Sequence, residues 1–273
     1  MTDNTPAYKK SSFGPAFFFL GKRRKEALAN YYEFCRKMDD IVDEPHVKNP
    51  SGELDFWQEE IGRIYTDMPK THLGKQLQRD VAFFDITQDR FSLLVEGMRA
   101  DLKGRHYATL EELEWYLYRV AVVVGLATLD ILGVKGPQAD SLAKHLGGAV
   151  QLTNIIRDVS SDVSLNRVYL PTRMLEEEGI SRQEVLEGSK PEELSRVLKK
   201  LDGVACRLYA KAFEEMKKLP RLKMLPCRLM GYVYFANLAK IKKTGFYFTR
   251  PVKLSKPEKI TEVFHALVKT VFP

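Results

Sequence analysis

Residues 151–162 read QLTNIIRDVSSD. With helical spacing, each residue turns about 100°, so Gln151, Asn154, Asp158 and Asp162 gather on roughly one quarter of the circumference. Ile155 and Val159 flank this polar stripe on one side and Val150 on the other. An amide and two carboxylates set between apolar neighbours require partners, because buried carboxylates without them are costly.

Residues 31–44, YYEFCRKMDDIVDE, repeat the chemistry. Arg36, Asp39, Asp40 and Asp43 share one helical face, and Tyr31, Phe34, Met38 and Ile41 lie opposite. Asp39 and Asp43 have the same one-turn spacing as Asp158 and Asp162. On a single helix such pairs ordinarily mark a solvated face. Here each pair is like-charged at a spacing that disfavours an isolated helix, each comes with an arginine (Arg36 or Arg157), and the second lies among apolar residues. Two facing helices of this kind can hold hard divalent cations through oxygen ligands. Mg²⁺ fits best, since it takes few carboxylates and completes its shell with water and phosphate oxygens.

The remaining pattern is helical. A short helix is expected from Ser12 to Leu20 and a long one from Lys22 to about Val42. Further helices are expected at about 53–66, 72–84, 88–104 and 109–132, from Pro137 to about Asp162, briefly after Pro171, over Pro191–Lys218 and about Leu222–Thr244, and from about Glu258. Pro45, Pro50 and Gly52 break the chain after the first long helix. Alternating strands, internal repeats and low-complexity linkers are lacking. The expected architecture is all-α: a single-domain helical bundle over residues 11–273, with a flexible N-terminus at 1–10.

Composition narrows the classes. The chain has 273 residues, 44% hydrophobic and 29% charged, which is globular and not disordered. Cys35, Cys206 and Cys227 are too few and too far apart for a disulfide framework or zinc site, which fits a cytoplasmic protein. The longest apolar run, Val120–Leu129, stops at Asp130, short of the ~20 residues of a bilayer span, so no transmembrane segment is expected. FHALVKTVFP at the C-terminus is an amphipathic end and no such anchor. The net charge of +7 suits a phosphorylated small molecule or peripheral contact with the inner membrane surface; no nucleic-acid motif accompanies it. GxGxxG, Walker A and GxSxG patterns are absent, and the five histidines show no metal-ligand spacing. The N-terminal aromatics Phe13, Phe17, Phe18, Phe19, Tyr31 and Tyr32 suit a hydrocarbon pocket whose ring faces stabilise a passing cation.

Five segments, SSFGPAFFFL, YYEFCRKMDDIVDE, WYLYRVAVVVG, QLTNIIRDVSSD with the following NRVYLP, and YFANLAKIKKTGFYFTR, resemble in order the squalene/phytoene synthase family of head-to-head prenyl transferases. Within it, the wording is most like the bacterial presqualene diphosphate synthases of hopanoid pathways. The resemblance implies the isoprenoid-synthase bundle with a central active-site cavity. It implies Mg²⁺, or Mn²⁺ in its place, held by Asp39, Asp43, Asp158 and Asp162 with Asn154. It places Gln151 and Ser12 at the substrate, Arg36 and Arg157 on diphosphate oxygens with Tyr32, Tyr234 and Arg250 as helpers, and Tyr116 at the proton or cation steps. Departures include Gly14 where an aromatic is usual, and Ser160 and Ser161 in place of a glycine and an acid. The implied reaction joins two farnesyl diphosphates to presqualene diphosphate. Continuation to squalene with NADPH, phytoene formation from geranylgeranyl diphosphate, and a non-catalytic assembly or binding role are the alternatives.

Overall fold

The computed structural model describes residues 20–247 and 249–271. The expected Ser12–Leu20 helix, Ser12 itself and the aromatics before Leu20 lie outside the described residues. The elements are α1 (Lys22–Asp43), α2 (Pro50–Tyr65), α3 (His72–Phe84), α4 (Asp89–Leu102), α5 (Leu110–Leu132), α6 (Pro137–Ser164), α7 (Thr172–Glu177), α8 (Arg182–Glu187), α9 (Pro191–Lys217), α10 (Leu225–Lys242) and α11 (Lys256–Val271). No strand occurs among the described residues, so the all-α reading holds.

Local chemistry sets the helix ends. Asn49, Thr71 and Thr109 each accept a backbone N–H of the first turn of α2, α3 and α5. Gly133 ends α5 at φ 70°, a left-handed conformation that costs glycine little. Helix α8 was not among the expected elements; its capping box, Ser181 with Glu184, is present in the sequence as S-x-x-E.

Two hydrophobic cores meet along α5. In the first, α1, α2 and α4 interlock through Phe34, Trp57 and Phe91, whose ring centroids lie 5.2–5.7 Å apart edge to face. Val123, Ala127 and Ile131 of α5 complete it. The second core joins the other face of α5 to α6, α9 and α10 through residues such as Leu126, Leu146, Leu201 and Tyr209. By length and composition α5 could cross a membrane. In the fold it is the shared wall of both cores.

The α-helical hydrogen bonding of α5 widens to a π turn at Tyr118–Val122, a local feature that periodicity does not reveal. Opposite it, Gly147 of α6 brings the two helices close: a Cβ there would lie 3.0 Å from Ala121 O and Val122 Cα. Of the π turn, Val120 and Ala121 line the space between the cores, while Tyr118 is exposed and Arg119 pairs with Glu96.

Candidate active site

That space holds two connected chambers. The inner one, about 250 Å³, is walled by α1, α5, α6 and α10. Its surface is mainly apolar, from residues such as Leu28, Val124, Leu146 and Met230, with Tyr31, Tyr32 and Tyr234 adding aromatic faces. The outer chamber, about 300 Å³, is polar, and Asp39, Asp43, Asp158 and Asp162 all line it. Asp39, Val120, Gln151 and Asn154 belong to both walls. One space therefore passes from a carboxylate-lined mouth to a greasy interior.

The two aspartate pairs converge because α1 and α6 both present them toward the gap, one from each core. Burial and the repulsion of Asp43 push Asp39 up to about 7. Asp39 stays open to water in the chamber while protein hems it in, so desolvation and like charge act together. Burial and the neighbouring Asp158 carry Asp162 to about 7, and Asp43 adds to its burden from the opposite helix. The chamber thus concentrates negative charge that its own cations do not fully balance.

Those cations are Arg157 and Arg167. Arg157 grips the adjacent Asp158 with both arms of its guanidinium, Nε lying 2.8 Å from Oδ1 and Nη2 contacting Oδ2. Arg167, in the loop after α6, donates from Nη1 to Asp43 Oδ1 at 2.6 Å and from Nη2 to Val42 O at 3.2 Å.

Asn154 donates to Gln151 Oε1 at 3.2 Å, and its own Oδ1 is buried without a partner. An orphaned carbonyl oxygen between two rows of carboxylates is what a hard cation or a donor-rich ligand would satisfy. Among the described residues, no three His, Cys, Asp or Glu side chains form a preassembled metal cluster. The donor set nonetheless suits Mg²⁺, which needs few protein ligands when phosphate oxygens and water supply the rest.

Tyr116 is buried on α5 and donates to Asp101 Oδ2 at 2.8 Å, while Tyr169 donates to Asp101 Oδ1 at 2.9 Å. The two rings stack with centroids 5.1 Å apart. Burial raises Asp101 to about 6, against the pull of these two hydroxyls. Asp101, Arg167 and Tyr169 all line the polar chamber and were not singled out from sequence. Arg167 and Tyr169 fall in the NRVYLP segment, which marked their stretch without assigning them a role.

Two of the sequence-derived residues stand elsewhere. Arg36 is on the polar face of α1 but lines neither chamber; it pairs with Asp40 at 2.7 Å and is 54% exposed. Its flexible stem follows the carboxylate one turn along, out to solvent, and Arg167 is the guanidinium that reaches the first pair. Arg250 is exposed and also lines neither chamber.

The squalene/phytoene synthase family profile matches residues 7–258. A presqualene diphosphate synthase of Rhodopseudomonas palustris is 34% identical over 92% of this chain and 90% of its own. That of Zymomonas mobilis is 34% identical over 87% and 82%. Among solved structures, a dehydrosqualene synthase in complex with ligand superposes with a TM-score of 0.85 at 26% identity, covering 96% of this chain and 93% of the other. A squalene synthase from Alicyclobacillus acidocaldarius gives 0.81 at 25% identity, over 90% and 91%.

Proposed function

Because the chain belongs to the squalene/phytoene synthase family, whose chemistry is head-to-head prenyl transfer, we propose that it condenses two farnesyl diphosphates to presqualene diphosphate. The observation that carries this reading is the junction of the two chambers. A substrate with an anionic head and a hydrocarbon tail meets carboxylates, arginines and an orphaned amide oxygen at one end and an apolar wall at the other.

Asp39, Asp43, Asp158, Asp162 and Asn154 would hold Mg²⁺, which when bound neutralises diphosphate charge and promotes its departure. Arg157 and Arg167 bind and orient diphosphate oxygens from either side of the mouth; both are already held in place by a carboxylate, so little ordering remains to be done. Diphosphate loss leaves an allylic cation. The apolar chamber excludes water from it, and the faces of Tyr31 and Tyr32 offer negative quadrupoles. The double bond of the second substrate attacks, and loss of a proton to the departed diphosphate closes the cyclopropane. Tyr116 donates a hydrogen bond to Asp101, so its oxygen gains negative character that favours neighbouring positive charge.

Product analysis tests the assignment. Purified protein with Mg²⁺ and farnesyl diphosphate is expected to yield presqualene diphosphate without NADPH. Squalene formed only with NADPH would favour continuation past the cyclopropane. Phytoene from geranylgeranyl diphosphate would move the assignment to the longer substrate, a reading to which the phytoene synthases among the relatives lend weight, one from Oncidium being 31% identical. Folded protein that turns over neither diphosphate would leave a binding role.

A further inference from the structure

Basic residues occur throughout the chain, but acidic ones do not. From Lys217 to Pro257 there are eleven Lys and Arg and no Asp or Glu. That surplus exceeds the formal +7 of the whole chain, so everything outside the stretch is acidic on balance. The stretch forms the α9–α10 turn, α10 and the approach to α11.

Helix α11 lies on the outside of α10. Ala266 packs with Leu225 and Leu229, Lys269 stands 5.1 Å over the Tyr232 ring, and Lys240 holds Glu258 at 2.7 Å. These contacts occupy one face of α11. On the other face, Ile260 and Phe264, one turn apart, are 69% and 63% exposed, and Val268 continues the row. At the same end of the bundle as Val268, Leu222 projects 80% exposed from the basic turn, between Arg221 and Lys223. Within the stretch, Lys217, Lys218, Lys240 and Lys242 pair with Glu214, Glu215, Glu258 and Asp202, and Arg228 is buried. Arg221, Lys223, Lys243, Arg250, Lys253 and Lys256 remain exposed with no ion pair among the described residues. Large apolar groups beside such cations differ from an ordinary solvated surface. The opposite face of α10 supplies Pro226, Cys227, Met230 and Tyr234 to the apolar chamber, so one helix separates that chamber from α11.

We propose that the outer face of α11 and the α9–α10 turn form a docking surface for an anionic lipid bilayer. The apolar row enters the boundary between headgroups and acyl chains, while the exposed cations of the basic stretch attract the anionic headgroups. A nucleic acid would use the charge and leave the apolar row idle.

The test is co-sedimentation of the full chain with vesicles of equal parts phosphatidylglycerol and phosphatidylcholine, against phosphatidylcholine alone. The chain is expected to pellet with the anionic vesicles only and to be released by high salt. Arg221→Ala should weaken binding about fivefold, and Ile260→Ser with Phe264→Ser about tenfold or more. These positions are exposed and away from both chambers, so diphosphate release in detergent should stay at the wild-type level in the variants. Failure to pellet with anionic vesicles overturns the proposal. So does pelleting that the double variant leaves intact, since charge alone would then account for it. Vesicle binding is read without turnover, so its failure is distinct from failure of the catalytic assignment.

Discussion

Arg167 reaches across the mouth of the polar chamber to Asp43, Nη1 to Oδ1 at 2.6 Å, and so ties the loop after α6 to the end of α1. Asp43 is half exposed, so the contact contributes little to stability, about 1 kcal/mol or less. Its value is positional: it holds a guanidinium between the two aspartate pairs. Arg167→Ala should therefore shift the melting temperature only slightly while lowering kcat/KM by about 10²-fold. Paired calorimetry and steady-state kinetics separate the two effects; a large melting shift with normal turnover would make Arg167 structural.

Asp101 should matter to turnover more than its distance in sequence from either aspartate pair suggests. Asp101→Asn keeps the shape but has one acceptor oxygen where the carboxylate takes a hydrogen bond on each of two, from Tyr116 and Tyr169. We expect kcat to fall about 10²-fold with substrate binding nearly unchanged. Tyr169→Phe removes one of the two donors and should cost about 1 kcal/mol of stability, measured by denaturant unfolding.

The crowded carboxylates predict an unusual pH dependence. Asp39 and Asp162 rise from an ordinary 3.8 to about 7 in the folded chain. Between those values the folded state binds protons that the unfolded state has released, so this contribution to stability falls as pH rises through the window. Asp39→Asn should flatten the slope and raise the melting temperature at pH 8, where the wild type carries the full repulsion. Melting curves from pH 4.5 to 8 for both proteins decide it; parallel slopes would refute the crowding. Mg²⁺ with inorganic diphosphate should likewise flatten the wild-type slope.

Gly147 sets the distance between α6 and the π turn of α5. A methyl group there would press on the backbone at Ala121 and Val122, which cannot yield as a side chain tip would. Gly147→Ala should cost about 1–3 kcal/mol and lower turnover, because Val120 and Ala121 line the chamber. Denaturant midpoints and turnover, measured on the same preparation, check both.

What was legible in sequence follows from how local each feature is. Helical period alone brings Asp39 beside Asp43 and Gln151 beside Asn154 and Asp158, and it separates the polar stripe of α6 from its buried side. Tyr116, Asp101 and Tyr169 are different: they come from α5, the end of α4 and a loop, 15 and 68 positions apart, and only packing of the two cores joins them. Arg36 shows the converse limit. Period placed its Cα correctly, but a long side chain chose Asp40 and solvent over the chamber. The π turn was hidden because Tyr118–Val122 carries no residue that marks it.

The most direct test of the shared carboxylate mouth is farnesyl diphosphate turnover by Asp158→Asn with saturating Mg²⁺. The substitution keeps volume and leaves Arg157 a hydrogen-bond acceptor, so the melting temperature should be close to wild type. Diphosphate release is predicted to fall about 10³-fold or more. Release within a few fold of wild type, in protein shown to be folded, would contradict the account.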